Sequence, residues 1–104
     1  MITANPDDAL LFVFVRLHAA AGQENAVRAA SMKVVTASRM EPGCVRIDAF
    51  GSIRDLQLFF IHSVWKDADA FDLHARLPHT REFIDTVDAL LDEPRQVTRS
   101  RRVV

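Results

Sequence analysis

Two stretches of this chain, Leu10–Leu17 and Leu56–Trp65, are apolar at odd and even positions alike through their middles. Both are rich in β-branched and aromatic residues, as strands are (Leu-Leu-Phe-Val-Phe-Val-Arg-Leu and Leu-Gln-Leu-Phe-Phe-Ile-His-Ser-Val-Trp). A strand with water on one side alternates apolar and polar side chains. These do not, so both faces of the sheet they build should be covered. The segment between them supplies one cover. From Gly22 to Met40, Val27, Ala30, Val34 and Ala37 recur at spacings of three and four, with Gln23, Glu24, Arg28 and Arg39 largely off that stripe. This is an amphipathic helix whose small apolar residues let it lie close to a sheet.

The rest of the chain fills in around these elements. Glu41-Pro-Gly-Cys44 ends the helix, because Pro42 disfavours helical geometry at Glu41 and Gly43 suits a turn. A strand follows in which Val45, Ile47 and Ala49 alternate with Arg46, Asp48 and Phe50. Gly51, Ser52, Arg54 and Asp55 then connect it, hairpin fashion, to Leu56–Trp65. Asp67 is placed to N-cap a short helix carrying Ala70, Phe71, His74 and Leu77, and Pro78 opens or kinks the next turn. A second helical stripe runs through His79, Phe83, Val87 and Leu90, and the stretch Gln96–Val104 is β-prone. Strand, helix, strand, strand, helices, strand is the split βαβ order of a ferredoxin-like α+β sandwich, an antiparallel sheet with its helices on one face. The second cover for the two-faced strands is then another copy of the chain, in a two-fold homodimer.

At 104 residues and 49% hydrophobic composition, the chain reads as one domain, 1–104, with a flexible N-terminal segment at 1–9. A formal net charge of -1 provides no field for a phosphate backbone, so nucleic acid is not an expected partner. The one basic cluster, Arg95, Arg99, Arg101 and Arg102, lacks interleaved aromatics and reads as a charged edge strand. The run Leu10–Val15 is too short to span a bilayer, Asp7 and Asp8 stand where a secretory signal carries Lys or Arg, and Cys44 is the only cysteine. A cytoplasmic protein without a membrane partner is expected. The isolated glycines at 22, 43 and 51 form no phosphate loop, which leaves nucleotide cofactors unsupported. Cys44 has no His close in sequence and reads as a small buried hydrophobe.

The residues with chemistry to offer cluster late in the chain. Trp65 is followed nine residues on by His74, then by Pro78-His79 and Phe83. His74 can share the sheet-facing stripe with Ala70 and Phe71, and an imidazole in an apolar pocket exchanges a proton near neutrality, its ordinary pKa being about 6.5. The plainer reading of such a side chain is a hydrogen-bonded core histidine. His74 and His79 lie five apart across Pro78 and share no helical face, a spacing poor for joint metal ligation, so no metal is expected. His62 shares a strand face with Leu58, Phe60 and Val64 and faces either the pocket or the dimer, according to register. His18 reads as a solvated strand end.

Taken in order, Glu41-Pro-Gly-Cys44, Trp65, the nine-residue step to His74, and Leu77-Pro78-His79 leading to Phe83 make the chain resemble the antibiotic biosynthesis monooxygenase domain family, which includes small quinol monooxygenases. The resemblance extends from Leu10 to about Val103. It implies a dimeric ferredoxin-like protein with packed sheets and a pocket between each sheet and its helices. It also implies that O₂ oxidises a small electron-rich aromatic of the quinol or anthrone type with no cofactor, neither flavin, haem nor metal. Deprotonating such a substrate makes a carbanion or phenolate able to reduce O₂ itself, so the protein need supply only a dry pocket and a proton acceptor. By the same resemblance Trp65 forms a pocket wall, His74 and His79 handle protons or orient the hydroxyl, and Phe83 lines the apolar side; Phe71, His62 and Ser63 are further candidate substrate contacts.

The chain departs from the family pattern at Ser63, where many relatives carry Glu, and at Ile47, where many carry an aromatic. It has no Tyr, which excludes a phenol-based mechanism. Phe83 and Ile84 stand roughly where the haem-degrading branch places an iron-binding His, which disfavours haem. Two other readings share these residues: a non-catalytic dimeric domain that binds small molecules or is stress-associated, and a cofactor-free isomerase of small hydroxy-carbonyl compounds. An open pocket separates the catalytic readings from one filled by Phe71, Phe83 and Leu73.

Overall fold

A computed structural model describes residues 6–104. Of the expected flexible segment 1–9, residues 1–5 lie outside the described residues, and Pro6–Ala9 form a 3-10 turn. The chain then runs β1 (Leu11–His18), α1 (Glu24–Ser38), β2 (Cys44–Gly51), β3 (Leu58–Trp65), α2 (Ala68–Arg76), α3 (Pro78–Asp88) and β4 (Gln96–Ser100). The four strands form one antiparallel sheet in the order β2-β3-β1-β4, with the apolar β3 and β1 at its centre. This is the ferredoxin-like α+β arrangement.

The pleat sorts the two-faced strands. Leu11, Val13 and Leu17 of β1 and Phe59, Ile61, Ser63 and Trp65 of β3 are buried beneath the helices. They pack with Ile47 of β2, Val27, Val34 and Val35 of α1 and Val87 of α3. The opposite face carries Phe12, Phe14, Phe50, Phe60, His62 and Val64. No element covers it among the described residues, and Phe14 and Phe50 remain 43% and 46% exposed. The buried line of α1 runs through Ser31 and Ser38 as well as the valines, so the expected stripe is rotated slightly and Ala30 and Ala37 are only half-buried. The alternation expected in β2 fails at its start. A bulge between Cys44 and Arg46 turns Cys44 toward the helices opposite Trp65 and leaves Val45 59% exposed. Burial pushes the Cys44 thiol up, away from thiolate.

Two connections fix the end of the sheet where α2 begins. Asp67 caps α2 by accepting a hydrogen bond from Ala70 N at 2.8 Å. Against it lies the Glu41–Cys44 turn, where a Cβ on Gly43 would stand 2.5 Å from the Ala70 Cβ; only glycine allows that approach. Between α2 and α3 the chain breaks at Leu77, which is extended with ψ 149, and Pro78 restarts the helix at its first position.

At the far end, His18 is no solvated strand end. Its Nδ1 and Nε2 lie 2.7 and 2.8 Å from Asp92 and Asp55, so both ring nitrogens donate and the imidazolium ties the β2–β3 and α3–β4 connections together. Those carboxylates, Asp92 first, raise its pKa above 6.5. The basic tail is engaged as well: Arg99 pairs with Asp72 at 2.9 Å and stacks 4.8 Å over Phe71, and Arg102 lies over Phe12. No helix among the described residues is long and apolar enough to cross a membrane.

Candidate active site

A cavity of about 200 Å³ opens between the sheet and the helices α2 and α3. Its floor is Val13, Val15, Ile47, Ile61 and Ser63, and its walls are Phe71, His74, Thr80, Phe83 and Ile84 from the two helices. Arg95 and Val97 of the β4 side complete the lining. The cavity is open, with Phe71 and Phe83 lining it, whereas Leu73 does not fill it and is 52% exposed on α2.

His74 is the polar focus of this lining. Its ring is buried, lying tilted against Trp65 and Phe71 with centroids 4.4 and 5.5 Å away, and its Nδ1 lies 2.7 Å from Glu41 Oε2. The carboxylate accepts a hydrogen bond from Nδ1, so the neutral ring keeps its lone pair on Nε2. Burial pulls the His74 pKa below the ordinary histidine value, against the opposing pull of Glu41, so the ring is neutral and basic at neutral pH. Thr80 Oγ1 lies 3.3 Å from the same Nδ1.

The structure also puts His79 on Glu41, with Nε2 2.8 Å from the same oxygen. The spacing argument against His74 and His79 acting together therefore fails. The two residues share no helical face, as expected, but the extended residue at Leu77 swings the first turn of α3 back so that two histidines on different helices meet one carboxylate.

The remaining expected site residues divide. Ser63, Phe71 and Phe83 line the cavity with His74. Trp65 does not line it. The indole is fully buried behind His74 and donates from Nε1 to Ser63 Oγ at 2.9 Å, so its face serves the imidazole. His62 lies outside the site. Even-numbered residues of β3 point to the uncovered face, where His62 packs edge-on to Phe14 at 4.8 Å and near Phe50 at 5.2 Å.

From sequence Glu41 reads as a helix terminator and as part of the Glu41–Cys44 motif of the resemblance, with no role in the site. Its role follows from the hairpin register, since Cys44 opposite Trp65 brings the turn before β2 to the end of the sheet where α2 starts. That pairing could have singled it out.

The sequence profile of the antibiotic biosynthesis monooxygenase family matches residues 10–86, and the chain belongs to this family. A Pseudomonas aeruginosa protein of known structure is 26% identical, with 94% of this chain and 98% of that one superposed at a TM-score of 0.86. A Mycobacterium tuberculosis protein is 24% identical, covering 91% and 96%, at a TM-score of 0.86. A Nitrosomonas europaea protein named for the antibiotic biosynthesis monooxygenases is 22% identical, covering 92% of each chain, at 0.87. At such identities the likeness of these last two is one of fold. An uncharacterized Synechocystis protein is 29% identical over 69 residues, 66% of this chain; the aligned part is 47% of that protein, so the chain spans about half the length of the curated relative it matches.

Proposed function

We propose that this protein is a cofactor-independent monooxygenase that oxidises a small electron-rich aromatic, of the quinol or anthrone type, with O₂. The observation that carries the reading is His74, held by Glu41 in the tautomer that leaves a basic nitrogen, in the lining of an otherwise apolar cavity. Family membership supports the same chemistry. A cavity of about 200 Å³ lies below the roughly 300–1,000 Å³ of pockets for drug-sized ligands, which favours the smaller, quinol-sized end of the range.

In this mechanism His74 Nε2 takes a proton from the ring carbon or hydroxyl of the substrate, and the resulting anion passes an electron to O₂. The substrate radical and superoxide join as a peroxide, which loses water. One ring CH₂ thus becomes C=O, or one ring C–H becomes C–OH with the quinol oxidised to the quinone. In either case one dioxygen atom enters the product and the other leaves as water. Glu41 steadies the imidazolium formed in the first step, His79 buttresses Glu41, and Phe71, Phe83 and Ser63 hold the ring in a water-poor space.

The working unit in this reading is a homodimer, supported by the uncovered sheet face around His62, where Phe14 and Phe50 are exposed together. The test is O₂ uptake by metal-stripped protein across a panel of hydroquinones and anthrones, against a protein-free control for autoxidation. Uptake above the control that falls about 10²- to 10⁴-fold in His74→Ala is expected. Uptake unchanged in that variant would remove His74 from the chemistry.

A further inference from the structure

Two imidazoles meet one carboxylate at Glu41, three donors of the kind that hold a metal ion. Glu41 Oε2 lies 2.7 Å from His74 Nδ1 and 2.8 Å from His79 Nε2, and the ligand atoms of all three residues lie within 4.8 Å of one another. Zinc sits about 2.0–2.2 Å from His nitrogen and carboxylate oxygen, so neighbouring ligands in a tetrahedral site stand roughly 3.3–3.5 Å apart. To admit the ion the two short gaps would open by roughly 0.6 Å, and the His74 and His79 nitrogens, within 4.8 Å of each other, would close by up to roughly 1.4 Å. The donors come from three elements, the α1–β2 turn, α2 and α3, each fixed by its own packing.

The cluster is also within reach of solvent. The His79 side chain is 27% exposed, and Glu41 lines an outer groove with Lys66, Asp67 and Asp69.

We propose that Glu41, His74 and His79 form a binding site for a divalent transition-metal cation of the zinc class, and that filling it switches off His74 as a base. Two imidazoles and one carboxylate, with further positions open to water, are a donor set that such ions accept. The switch follows from the tautomer. In the metal-free protein Nδ1 carries the proton and Nε2 the lone pair. An ion on Nδ1 uses that lone pair, expels the proton and leaves a neutral ring protonated on Nε2, which can donate a hydrogen bond into the cavity but cannot accept a proton from it. Metal occupancy and base catalysis then exclude each other at a single imidazole. The inhibitory consequence rests on the oxygenase reading; the binding and the tautomer change do not.

A second group of convergent donors, His18, Asp92 and Glu93, makes a control. It holds one imidazole where the Glu41 cluster holds two, and its Glu93 is ion-paired with Arg16.

Calorimetric titration of the metal-stripped full chain with zinc chloride tests the binding. One ion per chain is expected, weakened about tenfold or more in both Glu41→Gln and His79→Ala and unchanged in Asp92→Asn. Thermal melting of each variant identifies any loss of fold. No binding up to millimolar zinc, or binding that survives both substitutions in folded protein, would overturn the site.

Nitrogen NMR of His74 tests the switch without any substrate. The proton is expected on Nδ1 before zinc and on Nε2 after it, and a ring that keeps its proton on Nδ1 in zinc-loaded protein would overturn the switch. Where turnover is measured, it should fall in proportion to occupancy and return with a chelator. Turnover unchanged or raised by bound zinc contradicts the inhibition, whereas an inactive metal-free protein contradicts only the oxygenase reading.

Discussion

Burial in an apolar wall and a carboxylate at one nitrogen act on His74 in opposite directions, and burial dominates, holding its pKa below 6.5. A base must be unprotonated to act, so the sign is fixed: activity is retained as pH falls to 6.5 and is lost only as pH falls through the lowered value. The acid limb of kcat/KM for an accepted substrate should therefore lie below pH 6.5 and move upward in a variant that opens the pocket to water, such as Phe71→Ala. An acid limb above 6.5 in the native protein would show another group controlling the rate. His74 was legible in the sequence through its helical spacing from Phe71 and its distance from Trp65. Glu41 was not, because its function depends on a tertiary meeting of three elements, and a carboxylate before Pro-Gly is equally at home as a helix end.

At the scale of elements, the site depends on two irregular joints. The break at Leu77 brings His79 to Glu41, and the close packing of Gly43 on Ala70 seats the Glu41 turn against α2. Gly43→Ala should push that turn and α2 apart, destabilise the protein by about 1–3 kcal/mol, and reduce activity by shifting Glu41 away from His74. Chemical denaturation with a parallel activity measurement checks this, and a variant of native stability would mean that the turn and α2 can separate at no cost.

Periodicity made the strands, helices and the Asp67 cap legible. It missed the bulge at Val45, because alternation read along one strand carries no record of an unpaired residue; only the partner strand reveals it. It also misread His18, whose two carboxylate partners lie 37 and 74 residues away in sequence.

For the whole molecule, the two-faced character of β1 and β3 is explained only in part by one chain, since α1, α2 and α3 all cover the same side. Phe14, Phe50 and Phe60 around His62 leave an apolar face that water solvates poorly. Phe50→Glu should convert the proposed dimer to monomer in light scattering, with little change in the cavity on the other side of the sheet; a variant that remains dimeric would place the interface elsewhere.

The central claim, that the cavity beside His74 carries out cofactor-free oxygenation, is tested most directly with isotopically labelled dioxygen. Metal-stripped protein is given a hydroquinone or anthrone that it turns over, and the product is read by mass spectrometry. The account predicts one labelled oxygen atom in each product molecule and a matching label in water, at a rate that collapses in His74→Ala. Product whose new oxygen comes from water, or labelled product formed as fast without His74, would contradict it.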